Sequence, residues 1–221
     1  MSNNKDTMKA AVWYRARDLR VEPVEIPRLK DPHQVKIRVA ACGICGSDLH
    51  EYAAGPIFIP VDAPHPISQQ KAPIIMGHEF AGEVVEVGER VTRVKMGDRV
   101  AIEPILSPHR DGHYLMERYN LTPLLGFHGL SGGGGETVVV SIWESDAAIQ
   151  PNDLVIKERS MKGIIAYRHI YPAVIALMQQ GYFRAEDLIT GRIALDDIVE
   201  KGFDTLLNDK SHVKIIVGPA T

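Results

Sequence analysis

The amino-acid sequence predicts a mainly β chain with a smaller α/β portion (α+β), and three observations carry that prediction. The first half holds five short segments rich in Val and Ile and bounded by Pro, Gly and charged residues, which is how strands punctuate a sequence. Several of them alternate apolar and polar residues, as half-buried antiparallel strands do. After a glycine run ending at Gly135 the texture changes and helical periodicity appears.

Taken in order, the strand segments are Lys9 to Tyr14, Leu19 to Val24, Gln34 to Ala40, Phe80 to Val87 and Asp98 to Glu103. Short strands at this spacing predict a closed or partly closed barrel. Between Gly55 and Pro73 five prolines (Pro56, Pro60, Pro64, Pro66, Pro73) prevent regular structure and predict a surface excursion. Ile105 to Gly129 is weakly patterned and runs into Ser131 and Gly132 to Gly135. Thr137 to Trp143 is a continuous apolar strand candidate, and Ile164 to Tyr167 is another. Pro172 to Gln180 reads as a helix opened by proline and closed by Gly181. Asp196 to Asp209 places Ile198, Val199, Phe203, Leu206 and Leu207 on one helical face. Lys214 to Val217 is a final strand returning to the barrel.

The chain has 221 residues, 25 Lys plus Arg against 28 Asp plus Glu, and a formal charge of −3; 45% of residues are hydrophobic and 24% charged. This composition excludes a disordered acidic tail, a basic nucleic-acid-binding domain and a coiled coil. No apolar run approaches the roughly 18 residues of a membrane span, and the opening MSNNKDTMKA lacks the apolar core of a signal peptide. The expectation is a cytoplasmic protein without nucleic-acid or membrane partners. Cys42 and Cys45 are too close in sequence to staple a fold.

The sharpest constellation is Cys42-Gly43-Ile44-Cys45-Gly46-Ser47-Asp48-Leu49-His50, followed 28 residues later by His78, within Gly77-His78-Glu79. Thiolate, imidazole and carboxylate are the ligand types of a catalytic zinc, which keeps a further position for water or substrate. A four-cysteine structural zinc would need a second Cys pair, and the chain has none. A thioredoxin-like redox pair would open a helix within an alternating β/α pattern, which is absent here. Cys, His and Glu in isolation are as readily core or ion-pair residues, so spacing alone leaves the metal role open.

These motifs resemble the zinc-dependent alcohol dehydrogenases of the medium-chain dehydrogenase/reductase family, and within it the 2,3-butanediol dehydrogenases. The matching stretches are ACGICGSDLHEY, GPIFIPVDAPHP, MGHEFAGEVVEVGE, KMGDRVAIEPI, GFHGLSGGGG, QPNDLVIKERS and AYRHIYPAVIALM. The resemblance implies a GroES-like, partly open β-barrel catalytic domain. It implies that Cys45 and His78 are catalytic zinc ligands and that Glu79 is the adjacent carboxylate ligand. Ser47 matches the hydroxyl that relays the alcohol proton and His50 the relay histidine on the solvent side. Cys42 is not a ligand in that picture and reads as a small buried residue.

Two parts of the family pattern are missing. The four structural-zinc cysteines would fall at Pro108, Asp111, Tyr114 and Thr122, so no structural zinc is expected; His109 and His113 nearby read as solvated. The G-x-G-x-x-G turn that holds a dinucleotide is also absent, and Ser131 to Gly135 precedes a strand rather than opening a helix. Residues 136–150 resemble the far end of the nucleotide-binding domain. The implied organisation is a catalytic barrel over 1–135, a strand/helix remnant of an excised Rossmann domain over 136–170, and a C-terminal part over 171–221 that returns to the catalytic domain.

The function implied is a truncated zinc alcohol dehydrogenase that interconverts a small secondary alcohol or diol and its ketone. It would use one catalytic zinc, with NAD(H) taken from solution and bound weakly if at all. The alternatives are a cofactor-independent zinc Lewis acid (hydrolase or lyase) and a non-enzymatic zinc-binding scaffold. A homodimer through the Thr137 to Trp143 strand is expected to cover its apolar surface.

Overall fold

The computed structural model describes residues 7–108, 126–127 and 166–219. β1 (Thr7–Arg15) and β2 (Asp18–Glu25) form an antiparallel hairpin, turned through Arg17 at φ 60°. β4 (Ile74–Ile75) pairs with the other edge of β1, so β1 is central and its Ala10 to Trp13 run is buried throughout. A second sheet runs β6-β5-β3-β10-β9, built from β3 (Val35–Gly43), β5 (Glu79–Val87), β6 (Arg99–Ala101), β9 (Ile189–Ala194) and β10 (Lys214–Gly218). All its pairings are antiparallel except β9 with β10. β7 (Ile105–Leu106) and β8 (Gly126–Phe127) make a two-stranded ladder.

The five strand expectations in the first half match β1, β2, β3, β5 and β6, and the expected final strand is β10. Helix α1 (Gly46–Ala54) was not anticipated; it starts at Cys45 and carries most of the sequence constellation. The Cys42/Cys45 pair therefore does lead into a helix, but that helix is followed by the proline-rich excursion rather than by the alternating strands and helices of a redox fold.

The excursion after α1 is irregular, as its prolines require, and holds cis bonds at Gly55-Pro56 and Ala72-Pro73. One buried carboxylate ties it to α1. Glu51 accepts the backbone N–H groups of Ile57 (3.0 Å), Ile59 (2.9 Å) and Phe58. Its own carbonyl accepts the indole N–H of Trp13 at 3.1 Å. A buried carboxylate is tolerated when hydrogen bonds replace its hydration.

Helix α2 (Tyr171–Gln179) opens with Pro172 in its first turn, and Gly181 follows it at φ 75°, both as the sequence pattern requires. A short α3 (Ala185–Leu188) leads into β9. Ala166 and Tyr167 of the expected strand at Ile164 to Tyr167 are outside any strand; the rest of it, and Thr137 to Trp143, lie outside the described residues.

The single helix expected over Asp196 to Asp209 is three helical geometries in succession. A 3₁₀ turn (Leu195–Asp197) passes into a π segment (Ile198–Asp204) and then α4 (Thr205–Asn208). The π segment contains Gly202, where a Cβ would lie 2.8 Å from Ile44 Cδ1. Its wider turn accompanies a close approach that an ordinary side chain would block. Ile198 and Phe203 still face the core, as the periodicity predicts, and Val199, Leu206 and Leu207 pack against it.

The core joins the two sheets through Trp13, Ile44, Tyr52, Ile74, Phe203 and Ile215. Phe203 is 1% exposed, with its ring centroid 4.9 Å from that of Tyr52. We expect Phe203→Ala to destabilise the fold by about 3–5 kcal/mol, read from the midpoint shift in urea unfolding; a cost below about 1 kcal/mol would place this contact outside the core.

Candidate metal centre

The antiparallel pairing of β3 with β5 sets Cys42 opposite Phe80 and Gly43 opposite Glu79. This brings the residues leaving β3, Ile44 and Cys45, beside those entering β5, Gly77 and His78. Gly77 takes φ 115°, a conformation that glycine tolerates, and a Cβ there would stand 3.0 Å from Cys42 Sγ. Burial pushes the Cys42 thiol up to about 12, so it stays protonated. Its surroundings are those of a packing residue.

Cys45 and His78 are brought together, the Cys45 side chain lying within hydrogen-bonding reach of the imidazole. Ser47, the second residue of α1, places Oγ 3.3 Å from His78 Nε2. His50 stands three residues further along α1 and is half-buried; that spacing puts it on the same side of the helix as Ser47.

Asp48 is a residue of this site that the sequence reading did not single out. It is 1% exposed. Oδ2 accepts the Cys45 backbone N–H at 2.9 Å, capping α1, while Oδ1 approaches His78 Nδ1 at 3.2 Å. The second approach is off the hydrogen-bond axis and is better described as a charge contact. A carboxylate behind a histidine orients the ring and fixes which nitrogen faces a metal. The signal was available in part, since Asp48 is three residues after Cys45, the spacing at which a side chain reaches back to a helix start.

Burial of the imidazole favours its neutral form, but Asp48 and Cys45 outweigh that and raise His78 to about 10.

Glu79 diverges from the other two expected ligands. Its Oε2 accepts Lys214 Nζ at 2.7 Å, and Lys214 also donates to the Ile44 carbonyl at 3.1 Å. Successive side chains of an extended chain point to opposite sides, so His78 and Glu79 face different neighbours. Among the described residues no three of the His, Cys, Asp and Glu side chains are grouped closely enough to hold a metal. The Cys45/His78 pair with Asp48 behind it fits half of a zinc site by donor type; the third donor is adjacent in sequence but paired elsewhere.

Beside Glu79 a cavity of about 380 Å³ lies between β5, β6 and α2, lined by Phe80, Ala101, Ile102, Tyr167, Ile170 and Tyr171. Tyr171 donates to the Ile102 carbonyl at 3.1 Å, and the Tyr167 and Tyr171 hydroxyls are 3.0 Å apart. Burial and that hydroxyl contact raise Tyr167 far above the ordinary phenol range, so it acts only as a neutral hydrogen-bonding group. His109, His113 and the four positions of the missing structural-zinc cysteines, Pro108 excepted, lie outside the described residues. No helix among the described residues is long and apolar enough to cross a membrane.

Comparison with known proteins gives the family of the chain. The family described as Alcohol dehydrogenase GroES-like domain matches residues 31–160. The (R,R)-butanediol dehydrogenase of Bacillus subtilis is 36% identical over 350 residues, covering 96% of this chain and 100% of that protein. That alignment is longer than the 221-residue chain, so it carries a long gap on this side. Sorbitol dehydrogenase 1 of Saccharomyces cerevisiae is 45% identical over 127 residues, 58% of this chain and 33% of the relative. The crystal structure of the 2R,3R-butanediol dehydrogenase from Bacillus subtilis superposes with a TM-score of 0.83 at 34% identity, over 96% of this chain and 99% of that one. The GroES-like domain match and the butanediol dehydrogenase likeness along nearly the whole chain both say that it belongs to the medium-chain, zinc-dependent alcohol dehydrogenase family.

Proposed function

We propose that this chain is a shortened alcohol dehydrogenase acting on a small secondary alcohol or diol and its ketone, with one zinc at Cys45, His78 and Glu79. The observation that carries the reading is the Cys45/His78 pair, backed by the buried Asp48 and touched by the Ser47 hydroxyl. When bound there, zinc would supply Lewis acidity toward an alcohol or carbonyl oxygen. The chain's own residues would do the rest. Asp48 holds the His78 ring in place, Ser47 sits where it can take or give a proton at its Oγ, and His50 extends that path along α1.

The nucleotide does not fit as readily as the metal. No G-x-G-x-x-G turn occurs in the sequence, and the start of α1 is already occupied by the Asp48 carboxylate. We read the alignment gap as loss of most of the nucleotide-binding domain between the glycine run and Thr137, with 1–135, 136–170 and 171–221 as the surviving parts. Protein side chains do not accept hydride, so NAD(H) would come from solution and bind weakly. No structural zinc is expected. The missing cradle is also the observation that favours a second reading, zinc Lewis-acid hydrolysis or lysis without nucleotide. A cytoplasmic setting is consistent with the unpaired cysteines.

We expect oxidation of a secondary alcohol to rise with NAD+ without saturating and to vanish with a chelator. Saturation at micromolar cofactor would refute the weak-binding reading. Chelator-sensitive turnover of an activated ester without nucleotide would instead establish the second.

Zinc must displace the proton of His78, so affinity should increase as pH rises toward about 10, by about tenfold per pH unit for each proton released. Competition with a chromophoric chelator across neutral pH measures it. Cys45→Ala should abolish zinc uptake; a pH-independent affinity, or uptake unchanged in that variant, would place the metal elsewhere. Elemental analysis finding no zinc on the folded chain would leave only a non-enzymatic scaffold. Two copies are expected to pair through Thr137 to Trp143, and a strictly monomeric mass in light scattering would exclude that pairing.

A further inference from the structure

We infer that His65 is an acid-sensitive latch on the proline-rich excursion after α1. Its neutral imidazole closes the tip of the excursion, and protonation of the ring lets that tip open while the base stays fixed to α1.

Three observations build the closed state. The excursion folds back on itself, the Ala72 N–H donating to the Pro60 carbonyl at 2.8 Å and the His65 N–H to the Gln70 carbonyl at 2.9 Å. At the tip the imidazole is the acceptor: Nδ1 receives the backbone N–H groups of Ile67 at 3.3 Å and Ser68 at 3.4 Å. A ring nitrogen that accepts carries no proton, so these two donors assign the single ring proton to Nε2. The same turn holds Gln69 at φ 57°, its N–H on the His65 carbonyl at 2.8 Å and its side-chain amide donating to the Pro66 carbonyl at 2.7 Å. A residue other than glycine in that left-handed region stores strain, which opening releases.

The ring is within reach of a proton and poorly placed to hold one. His65 is 6% exposed, yet the fully buried polar side-chain atoms without a partner, among the described residues, belong to Asp48 and His78. Nε2 of His65 therefore keeps contact with water. The charged side chains of the excursion besides His65 are Asp62 and Lys71, and the Lys71 ammonium reaches the Asp62 carbonyl at 3.5 Å rather than the ring. Among the described residues no carboxylate of the excursion, of α1 or of either sheet makes an ion pair with His65. Protonation moves one proton from water to Nδ1, and the new N–H then points at two N–H donors, so both hydrogen bonds are lost in a largely buried setting. The closed tip disfavours the charged ring, and it is lost as pH falls rather than as it rises. The base does not follow, because Glu51 on α1 holds the Ile57 and Ile59 amides at 3.0 and 2.9 Å and Phe58 and Ala72 pack against the core.

The test is amide hydrogen exchange by NMR in wild type and His65→Asn, between about pH 8 and about pH 5, the range in which imidazoles change charge. Each rate is expressed as protection relative to the unfolded chain at the same pH. In wild type the Ile67 and Ser68 amides should lose about tenfold in protection per pH unit once the ring takes its proton, while the Ile57 and Ile59 amides keep theirs. Asparagine offers an oxygen acceptor that does not titrate, so in His65→Asn the slope should vanish. Protection at Ile67 and Ser68 that is flat with pH in wild type overturns the inference, as does a slope that persists in His65→Asn or a parallel loss at Ile57 and Ile59. If His65→Asn does not fold, the wild type suffices, because the ring nitrogen shifts report the proton directly. They should show Nε2–H alone at about pH 8 and both nitrogens protonated at about pH 5, in step with the exchange; a proton on Nδ1 at the higher pH, or titration out of step with the two amides, overturns the inference.

Discussion

The registration of β3 against β5 is the constraint on which the rest depends. Setting Gly43 opposite Glu79 and Cys42 opposite Phe80 brings two short segments, 44–45 and 77–78, to the same end of one sheet. Neither segment has the length or pattern to form a site alone. A slip by one residue would invert which side chains face the core and would separate Cys45 from His78. Gly43 and Gly77 allow the approach, the first by leaving room for a carboxylate and the second by adopting a left-handed turn beside Cys42.

The surroundings of that end are fixed by buried polar groups rather than by packing alone. Asp48 and Glu51 are both almost fully buried on α1. The first joins the helix start to His78 and the second joins the helix end to the backbone of residues 57–59. Glu51 has its bonds satisfied, and Asp48 has one oxygen hydrogen-bonded and the other held in a charge contact; such groups are costly to disturb, because removing one partner leaves the other stranded. The hydrophobic contribution comes from the other side, where Ile44, Phe203, Ile215 and Tyr52 pack between the sheets. Ile44 links the two, since its side chain is in the core and its carbonyl receives Lys214.

Much of this was legible in the sequence, and the boundary of legibility has a physical cause. Strands such as β1 and β5 announce themselves through β-branched residues and alternation, and α2 through Pro172 and Gly181. Helix α1 is only nine residues of mixed polarity, and its motif drew attention to ligands rather than to its backbone. β9, Ile-Thr-Gly-Arg-Ile-Ala, has a glycine where a strand signal is weakest, and its parallel partner lies across a helical connection. That Cys45 and His78 come together could be read from the motifs and the resemblance they carry. The orienting role of Asp48 required His78 to be folded back onto it from 30 residues away, and the partner of Glu79 is contributed by the last strand, beyond the range of any local pattern. The π segment follows from a tertiary approach at Gly202 that periodicity does not encode.

Asp48 uses one oxygen to cap α1 and the other to face His78. The same carboxylate thus serves the first turn of a helix and the orientation of an imidazole, so neither can loosen alone. Loss of this one carboxylate would therefore take the cap from a nine-residue helix and the negative neighbour from the imidazole at once, so that the stability of α1 and the setting of His78 rest on a single side chain.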